Sequence, residues 1–319
     1  MTSSAPIDLV VLGYSERLSE DHDTIIAVAK ELGLNARLVT PSQVSLHVDH
    51  SGEHVRVDGE RFVPRAVVPR GINRPWPMLK QILECWYTDG AHIVPSLTSA
   101  DICADKITTT RALARAGVPV LPTIGIVPGT DMSVEALTLP TDSHILAKPA
   151  RGSKARGVRR FESAHEAHKD LSHNHPLQSG MADHQVVQPV ASTAGVDYRV
   201  VVAGATHPRV VAVTRRIAPD GDFITNRPHA IVEDWDDRMT DIPDVIDVAT
   251  QAARALGLVF GGVDVIVHSS RAVVLEVNAW PGLAVQHRGD TLARALVNEV
   301  ISALQQESQP DVDTQLLHH

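Results

Sequence analysis

The amino-acid sequence predicts an α/β fold that begins with a parallel βαβ domain and continues into α+β parts. An apolar strand at residues 7–14 is followed by apolar residues at helical spacing over 21–34 and by a second strand at 36–40. This order predicts a βαβ unit, whose two strands run parallel. The chain has 319 residues, which is more than one hydrophobic core usually supports, so we expect two or three subdomains.

Composition and charge argue against several classes of function. The formal net charge of −9 argues against a nucleic-acid partner, because such a surface needs a basic stripe. No apolar run is long enough to span a bilayer, and Asp8 interrupts any signal-peptide pattern, so no membrane partner is expected. The two cysteines, Cys85 and Cys103, lack CxxC spacing, which favours a reduced, cytoplasmic protein.

The first hundred residues continue with short strands. Residues 47–62 predict a small hairpin, and 66–69 predict a buried strand that ends just before Arg70. A basic residue at the carboxyl end of a strand faces the crevice where α/β sheets bind ligands. Arg70 is therefore a candidate ligand-binding residue, and an ordinary surface arginine is the equally open alternative.

A capped helix is predicted after residue 98, because Ser99 or Asp101 can accept hydrogen bonds from its first turn. Gly117 ends this helix and Pro119 prevents its continuation. Lys106 lies near the helix start. On the residues alone, a helical lysine is usually a solvated side chain on the exposed face.

A strand at 144–148 leads into a basic, glycine-containing turn at 149–157, P-A-R-G-S-K-A-R-G, which a further strand follows. Backbone N–H groups of such a turn can close over phosphates, and arginine binds phosphate through paired hydrogen bonds. The pattern favours a phosphate-binding loop that includes Gly152, Ser153 and Gly157. A mobile basic loop without a ligand is the alternative.

The most informative stretch is a predicted β-hairpin over residues 262–278. We take residues 269–271, Ser-Ser-Arg, as a three-residue connection, so that His268 faces Ala272. Strict alternation then sorts the second strand into two faces. One face carries Val273, Leu275 and Val277, and the other carries Val274, Glu276 and Asn278.

Counting outward along this hairpin places Asp264 opposite Glu276. Like charges directly opposite each other destabilise an antiparallel pair, unless a hard cation lies between them. Asn278 adds an amide oxygen on the same predicted face. Oxygen-only ligands of this kind suit magnesium that is held jointly with substrate phosphates. The alternative is a surface hairpin with a few solvated acids.

The segment V-V-L-E-V-N-A-W-P-G-L at 273–283, preceded by D-V-I-V, resembles the metal-binding hairpin of the ATP-grasp superfamily. It is most similar to RimK-type amino-acid ligases, where the segment is close to E-V-N-A-S-P-G-L. The resemblance runs from about residue 67 to about residue 300. Its other matches are D-K at 105–106, a strand lysine at 148, the hinge Q-V-V-Q-P-V at 185–190, G-V-D-Y-R-V-V-V at 195–202, and R-R followed by G-D-F-I-T-N up to Asn226.

The resemblance implies a site for ATP and two magnesium ions, for which manganese can substitute. The residues implied to bind the nucleotide are Lys106, Lys148, Gly152, Ser153, Gly157, Gln188, Val190, Asp197, Arg199 and Asn226. Those implied to bind metal are Asp264, Glu276 and Asn278, and those implied to assist catalysis are Lys148, Arg199 and Arg216.

This chain departs from the family pattern in two places. Its loop is more basic, through Arg151, Lys154 and Arg156. Pro189 in the hinge has no N–H, so the N–H of Val190 becomes the predicted donor to adenine. Strand alternation does not decide whether Arg215 or Arg216 faces phosphate, and we favour Arg216.

The resemblance implies the ATP-grasp fold, with a βαβ domain at 1–98, a helix and lid subdomain at 99–188, a metal-binding subdomain at 189–305 and a flexible tail at 306–319. It implies a ligase that joins a small-molecule carboxylate to an amine through an acyl phosphate. An amino acid or peptide is the expected substrate, with Arg70 and Arg288 as carboxylate ligands, and a homo-oligomer is expected. The alternatives are a kinase that phosphorylates a hydroxyl and a non-catalytic ATP-binding module.

Overall fold

The computed structural model describes residues 7–13, 20–70, 76–126, 144–152, 156–173, 184–191, 193, 195–220, 222–225, 229–283 and 288–306. The chain divides into two compact units. The first unit contains the residues up to Leu97 and those from Gly282 onward, and the second is Thr98–Pro281. Within the described ranges, no helix has the length and apolar character needed to cross a membrane.

The helices and strands are, in chain order, β1 (Leu9–Leu12), α1 (Glu20–Glu31), β2 (Ala36–Val39), β3 (Val44–Asp49), β4 (Gly52–Val57), β5 (Glu60–Arg61), β6 (Ala66–Pro69), α2 (Trp76–Thr88), β7 (His92–Ile93), α3 (Leu97–Cys103), α4 (Lys106–Arg115), β8 (Ile124–Ile126), β9 (Ile145–Pro149), β10 (Arg159–Phe161), α5 (Ala164–His173), β11 (Gln185–Pro189), β12 (Val196–Ala203), β13 (Arg209–Ile217), β14 (Ile231–Asp234), α6 (Pro243–Ala255), β15 (Phe260–His268), β16 (Arg271–Asn278) and α7 (Gly289–Gln306). Short 3-10 helices lie at Pro41–Gln43 and Asp236–Asp241.

The first unit contains the predicted βαβ start. Its main sheet has the strand order β2-β1-β6-β7, and β1 runs parallel to both β2 and β6. All four residues of β1 are fully buried, as expected for a parallel strand that is covered on both faces. The final helix α7 belongs to this unit and pairs with α1 through Arg294 and Glu31, at 2.7 Å. The boundaries at residues 98, 188 and 305 remain predictions.

The predicted small hairpin is a three-stranded antiparallel sheet, β3-β4-β5. It has turns at both Gly52 and Asp58-Gly59, where positive φ angles favour glycine. The following helix α2 was not predicted from the sequence. It carries Trp86, which is fully buried and donates its indole N–H to the carbonyl of Phe62 at 2.8 Å.

The second unit contains two antiparallel sheets. One has the order β10-β9-β11-β8 and the other the order β14-β13-β12-β15-β16. Helix α5 covers one face of the first sheet, where Ala167 and Leu171 pack against Ile145 and Phe161. Burial of one face leaves the opposite face of that sheet available to line a site.

The single helix predicted after residue 98 is two helices, α3 and α4. Asp105 separates them because it is extended, with φ −129° and ψ 119°, and its carboxylate accepts the N–H of Thr108. Asp105 is therefore the N-cap of α4, and the predicted cap Ser99 has another function. The buried hydroxyl of Ser99 donates to the carbonyls of Leu256 and Gly257, at 2.8 and 2.9 Å.

Candidate active site

The hairpin between β15 and β16 has a tighter turn than predicted. Ser269 and Ser270 both have positive φ, 49° and 61°, which is typical of a two-residue type I′ turn. His268 therefore pairs with Arg271 and does not face Ala272. The prediction of a three-residue loop was wrong, because a pair of serines can adopt the left-handed conformation that usually selects glycine or asparagine.

A bulge nevertheless places Asp264 directly opposite Glu276, as predicted. Val265 pairs with Val274, and the next pair is Asp264 with Glu276, so Leu275 is an extra residue in β16. The bulge also changes the predicted faces. Leu275 and Glu276 line the same cavity, and the strict alternation that we expected along β16 is wrong at this point.

Two carboxylates and two guanidinium groups form a buried network beside this hairpin. Arg199 donates to both oxygens of Asp264, each at 2.7 Å. Arg216 donates to both oxygens of Asp197 at 2.6 and 2.7 Å and reaches Asp264 at 3.0 Å. These residues are cross-strand neighbours in β12, β13 and β15, so strand register brings the four charges together on one face of the sheet.

Strand register also separates the two neighbouring arginines of β13. Arg216 is buried and lines a cavity. Arg215 instead pairs with Glu233 at 2.9 Å and lies over the ring of Trp235. The structure therefore places Arg216, the residue favoured from the sequence, on the candidate site.

The buried charges shift one another's pKa values. Burial alone would raise the pKa of Asp264, but the charges of Arg199 and Arg216 outweigh it and lower that pKa to about 2. Burial raises the pKa of Asp197, against the opposing effect of its hydrogen bonds from Arg216. The pKa of Arg216 is raised, because Asp264 and Asp197 overcome the cost of burying its charge. Ionised Asp264 is thus strongly favoured at neutral pH.

Two lysines face this network from different elements. Lys148 in β9 is 8% exposed, and burial lowers its pKa to about 8, although the charge of Glu276 opposes the shift. Lys106 in the first turn of α4 lies 3.7 Å from Glu276 and donates to the carbonyl of Gly152 at 3.0 Å. Its backbone N–H also donates to the carbonyl of Ala150, at 2.9 Å. Lys106 therefore joins α4 to the glycine-containing loop.

These groups surround an open cavity of about 120 Å³. Of the residues predicted from the sequence, those that line it are Lys106, Lys148, Gly152, Asp197, Arg216, Asp264 and Glu276. The arrangement places cations of a kind that can bind phosphate beside carboxylates of a kind that can bind a metal ion, which is the chemistry that a polyphosphate and its metal require.

A second, more apolar cavity adjoins the first. Leu146, Asp197, Phe223, Thr225 and Leu275 line both cavities. The hinge residues Gln188 and Val190 line the second one. The two cavities therefore lie side by side, and together we call them the cleft. One end of the cleft is charged and the other is apolar, which suits a nucleotide.

The hinge corrects one expectation. The N–H of Val190, predicted to be the adenine donor, already donates to the carbonyl of His144 at 2.8 Å. Val190 lines the apolar cavity, but its N–H is engaged inside the sheet and is not free for a base. The sequence could not show this, because the hydrogen bond depends on how β11 meets the segment before β9.

Several residues that line the cleft were missed from the sequence, among them Thr225, Phe223 and Leu146. Thr225 donates its hydroxyl to Asp197, and Phe223 lies beneath the guanidinium of Arg160 at 5.7 Å. Both belong to the G-D-F-I-T-N segment, whose central residues we did not assign. Leu146 also lines the cleft, and the alternation I-L-A-K, which places it on the same face as Lys148, was a usable signal.

Backbone conformation explains why glycine occupies positions 152 and 157 of the loop. Gly152 and Gly157 have φ of +141° and +74°, and a Cβ on Gly157 would lie 3.0 Å from the ring of Pro149. Gly157 does not line the cleft, so the structure supports a role in shaping the turn. The predicted binding residues Ser153 and Asn226 lie outside the described residues.

Arg70 and Arg288 lie in the first unit, and both are buried. Arg70 pairs with Asp21 at 2.6 Å, and Asp21 also accepts the N–H of Leu283 at 3.2 Å. This arrangement joins β6, α1 and the segment before α7. The substrate-binding function of both arginines remains a prediction.

Two of the predicted metal ligands, Asp264 and Glu276, have the chemistry of a site that holds a cation jointly with a substrate. Among the described residues, no group of three or more His, Cys, Asp or Glu could hold a metal ion by itself. Asp264 and Glu276 supply two carboxylates at the cavity, whereas Asn278 is not among the residues that line it. Hard oxygen donors that are few in number suit magnesium completed by phosphate oxygens.

The chain resembles known proteins in sequence over the segment that contains this cleft. A family model described as the RimK-like ATP-grasp domain matches residues 103–304, more than half of the chain. The chain is 32% identical over 180 residues to ribosomal protein bS6–L-glutamate ligase of Salmonella paratyphi B. This match covers 56% of the chain and 56% of that protein. The chain therefore spans about half the length of the curated relatives it matches.

Solved structures with low identity show the same fold. The RimK domain ATP-grasp protein of Sphaerobacter thermophilus has a TM-score of 0.66 at 19% identity, covering 91% of this chain and 98% of that one. VanG D-Ala:D-Ser ligase of Enterococcus faecalis has a TM-score of 0.67 at 16% identity, covering 94% of this chain and 100% of that one. The fold predicted from the sequence is confirmed.

Proposed function

This chain belongs to the RimK-like ATP-grasp family, and from that premise we propose that it is an ATP-dependent carboxylate–amine ligase. It forms an amide or peptide bond through an acyl phosphate and releases ADP and phosphate. The family implies the use of ATP with a divalent metal ion. One observation supports the proposal most directly: Lys106, Lys148 and Arg216 surround the same cavity as the paired carboxylates Asp264 and Glu276.

The proposed reaction has two steps. An oxygen of the substrate carboxylate attacks the γ-phosphorus of ATP, the bond from that phosphorus to the bridging oxygen breaks, and ADP leaves. The amine nitrogen then attacks the acyl carbon, phosphate leaves and the amine loses a proton. Phosphoryl transfer needs positioning and charge neutralisation more than covalent assistance, and the cationic wall of the cleft supplies both.

Individual residues take distinct functions in this proposal. Lys148 and Arg216 bind the phosphates and stabilise the charge that develops on the transferred group, and Lys106 binds phosphate while holding the loop at Gly152. Asp197 lies where the charged and apolar cavities meet, a position suited to the ribose hydroxyls. Arg199 orients Asp264 through two hydrogen bonds.

The proposed metal ligands are Asp264, Glu276 and Asn278, which would hold two magnesium ions, or manganese in their place. When bound, the metal neutralises charge on the transferred phosphoryl group and its leaving oxygen. The role of the protein groups is to fix these ligands on a rigid hairpin. The bulge at Leu275 contributes to this by keeping Glu276 opposite Asp264.

We propose an amino acid or a peptide as the substrate class. One relative is named for joining L-glutamate to ribosomal protein bS6, and one structural neighbour is named a D-Ala:D-Ser ligase. Arg70 and Arg288 are the proposed ligands of a substrate carboxylate. A cytoplasmic homo-oligomer is part of the same proposal.

The test is a screen of amino-acid pairs for phosphate release from ATP, with mass spectrometry of the products. A ligase releases phosphate only when a carboxylate and an amine are both present, and hydroxylamine converts its acyl phosphate into a hydroxamate. Phosphate bonded to an acceptor hydroxyl, without any hydroxamate, would replace the ligase by a kinase. Nucleotide binding without turnover under any acceptor would favour a non-catalytic module.

A further inference from the structure

The hinge of this chain offers few main-chain N–H donors to a nucleotide base. Pro189 has no N–H, and the N–H of Val190 donates to the carbonyl of His144 at 2.8 Å. Neither of these two residues therefore offers a free N–H to a base in the apolar cavity. The polar side chain that the hinge does present to this cavity is Gln188.

Gln188 projects from the cavity side of its sheet. It pairs across the strands with Leu146 in β9, two residues before Lys148, and both of these residues line the cleft. Gln188 itself is 4% exposed. Its Oε1 is buried and accepts no hydrogen bond from any described residue. A buried amide oxygen without a donor is costly, so a donor supplied by a ligand is the expected partner.

Thr123 determines which way the amide of Gln188 points. The hydroxyl of Thr123 donates to the carbonyl of Leu121 at 2.7 Å, and Nε2 of Gln188 donates to that hydroxyl at 2.8 Å. Amide oxygen and nitrogen are otherwise difficult to distinguish. If the amide were reversed, one hydroxyl proton would have to serve two acceptor oxygens. The contacts therefore favour Nε2 toward Thr123 and Oε1 as the free acceptor.

We propose that Thr123 is a positioning residue that holds the amide of Gln188 so that Oε1 accepts a hydrogen bond from the 6-amino group of adenine. The pair then selects 6-amino purines over 6-oxo purines. This inference rests on the proposed function, since it requires a nucleotide in the cleft. It moves part of base recognition from the hinge main chain to a side chain whose orientation is set from the segment before β8.

The selection depends on whether the group at position 6 of the base donates or accepts a hydrogen bond. Adenine presents an N–H donor to Oε1, whereas hypoxanthine presents a carbonyl oxygen, which leaves two acceptors facing each other. Binding of hypoxanthine would leave buried polar groups unpaired, and a site with this property rejects such an analogue strongly. If the amide of Gln188 can turn over, its NH₂ meets the 6-oxo group and most of the discrimination is lost.

The experiment measures the affinity for ADP and for IDP, both with magnesium, by isothermal titration calorimetry. We expect the wild type to favour ADP by about tenfold or more. Thr123→Val keeps the shape of the side chain but removes the hydroxyl, and it should reduce the preference at least about threefold. Thr123→Ser retains the hydroxyl and should stay within about twofold of the wild type. Gln188→Met should reduce the preference to near unity.

The ratio of the two affinities separates a change in base selection from a general loss of structure. The two nucleotides differ only in the six-membered part of the base, so a variant that merely loosens the fold weakens both and leaves their ratio unchanged. An unchanged ratio in Gln188→Met, or in Thr123→Val, overturns the inference while leaving the ligase proposal intact. If Thr123→Val does not fold, Thr123→Ala takes its place. A wild type that binds neither nucleotide overturns the proposed function itself.

Discussion

Asp264 and Glu276 lie directly opposite each other across the β15–β16 hairpin, and Leu275 is the extra residue that makes this pairing compatible with a two-residue turn. Without that bulge, the observed turn would pair Asp264 with residue 275. The arrangement holds two acids on one face of a sheet, beside Lys106 and Lys148. Opposed carboxylates destabilise a hairpin, a cost that Arg199 and Arg216 offset at Asp264 and that the proposed metal ion would offset further.

Substitution of Glu276 tests whether this carboxylate contributes to turnover more than to nucleotide binding. Glu276→Gln keeps the shape and most hydrogen bonds but removes one negative charge from the proposed metal site. Turnover should fall about 10²-fold or more, which corresponds to at least roughly 2.7 kcal/mol, while nucleotide affinity changes much less. The measurements are initial rates of phosphate release and calorimetric binding of ADP. Glu233→Gln is the matched control, because Glu233 pairs with Arg215 away from the cleft. If turnover of Glu233→Gln fell as far as that of Glu276→Gln, the loss would reflect a general structural defect.

The pKa of Lys148 predicts two opposite effects of pH. Its folded pKa is about 8 against 10.5 when unperturbed, so between these values the unfolded chain binds more protons. Stability of the ligand-free protein should therefore rise with pH across this window. In the proposed function the protonated lysine binds phosphate, so nucleotide affinity should fall about tenfold per unit above pH 8.

Titrations of ADP binding between pH 7 and 9.5 measure the second effect. In Lys148→Arg the guanidinium stays protonated, and the fall in affinity should largely disappear. The same steep fall in wild type and Lys148→Arg would show that another group controls binding.

The two arginines of β13 should differ sharply in their contribution to stability. Arg216→Ala leaves Asp197 without a cationic partner and removes one of the two arginines that contact Asp264, so it should lower the free energy of unfolding by about 3–5 kcal/mol. Arg215→Ala removes a partly exposed pair and a contact with Trp235, so it should cost about 1 kcal/mol. Urea denaturation at neutral pH measures both, and equal losses would contradict the buried network.

Acidification should reduce the effect of Arg216→Ala. The folded pKa of Asp264 is about 2 against 3.8 when unperturbed. The stabilisation from its ionised form is therefore present above pH 3.8 and is lost as the pH falls through about 2. We expect the stability difference between Arg216→Ala and the wild type to shrink as the pH is lowered from about 4 toward 2. A difference that grows on acidification would contradict the assignment of this pair.

Ser99 should contribute to stability through the second unit and not through helix capping. Ser99→Ala removes a donor to two carbonyls in the segment that follows α6, and it should cost about 1–2 kcal/mol. Ser302 is an exposed serine whose hydroxyl bonds within its own helix, so Ser302→Ala should change stability by less than about 0.5 kcal/mol. Thermal or urea unfolding of the two variants measures the contrast. Equal, small effects would show that the hydrogen bonds of Ser99 are unimportant.

The sequence alone was sufficient for the fold class and for most of the charged residues that line the candidate cavity. Hydrophobic periodicity predicted the βαβ start, because a buried parallel strand and an amphipathic helix leave distinct local patterns. The pairing of Asp264 with Glu276 was predicted by counting along the hairpin, whereas Lys148 and Asp197 were predicted from the resemblance to ATP-grasp ligases. Both kinds of prediction use residue types at short spacing, which the linear chain preserves.

Tertiary structure alone decided the details that depend on pairing between distant segments. It selected Arg216 over Arg215 through the register of β12 and β13, and it engaged the N–H of Val190 with His144. It also divided one predicted helix at Asp105 and inserted Leu275 as a bulge. Hydrogen bonds between segments far apart in sequence have no local periodic signature. Only the folded chain therefore determines which of two neighbouring polar groups faces the cleft and which is already satisfied elsewhere.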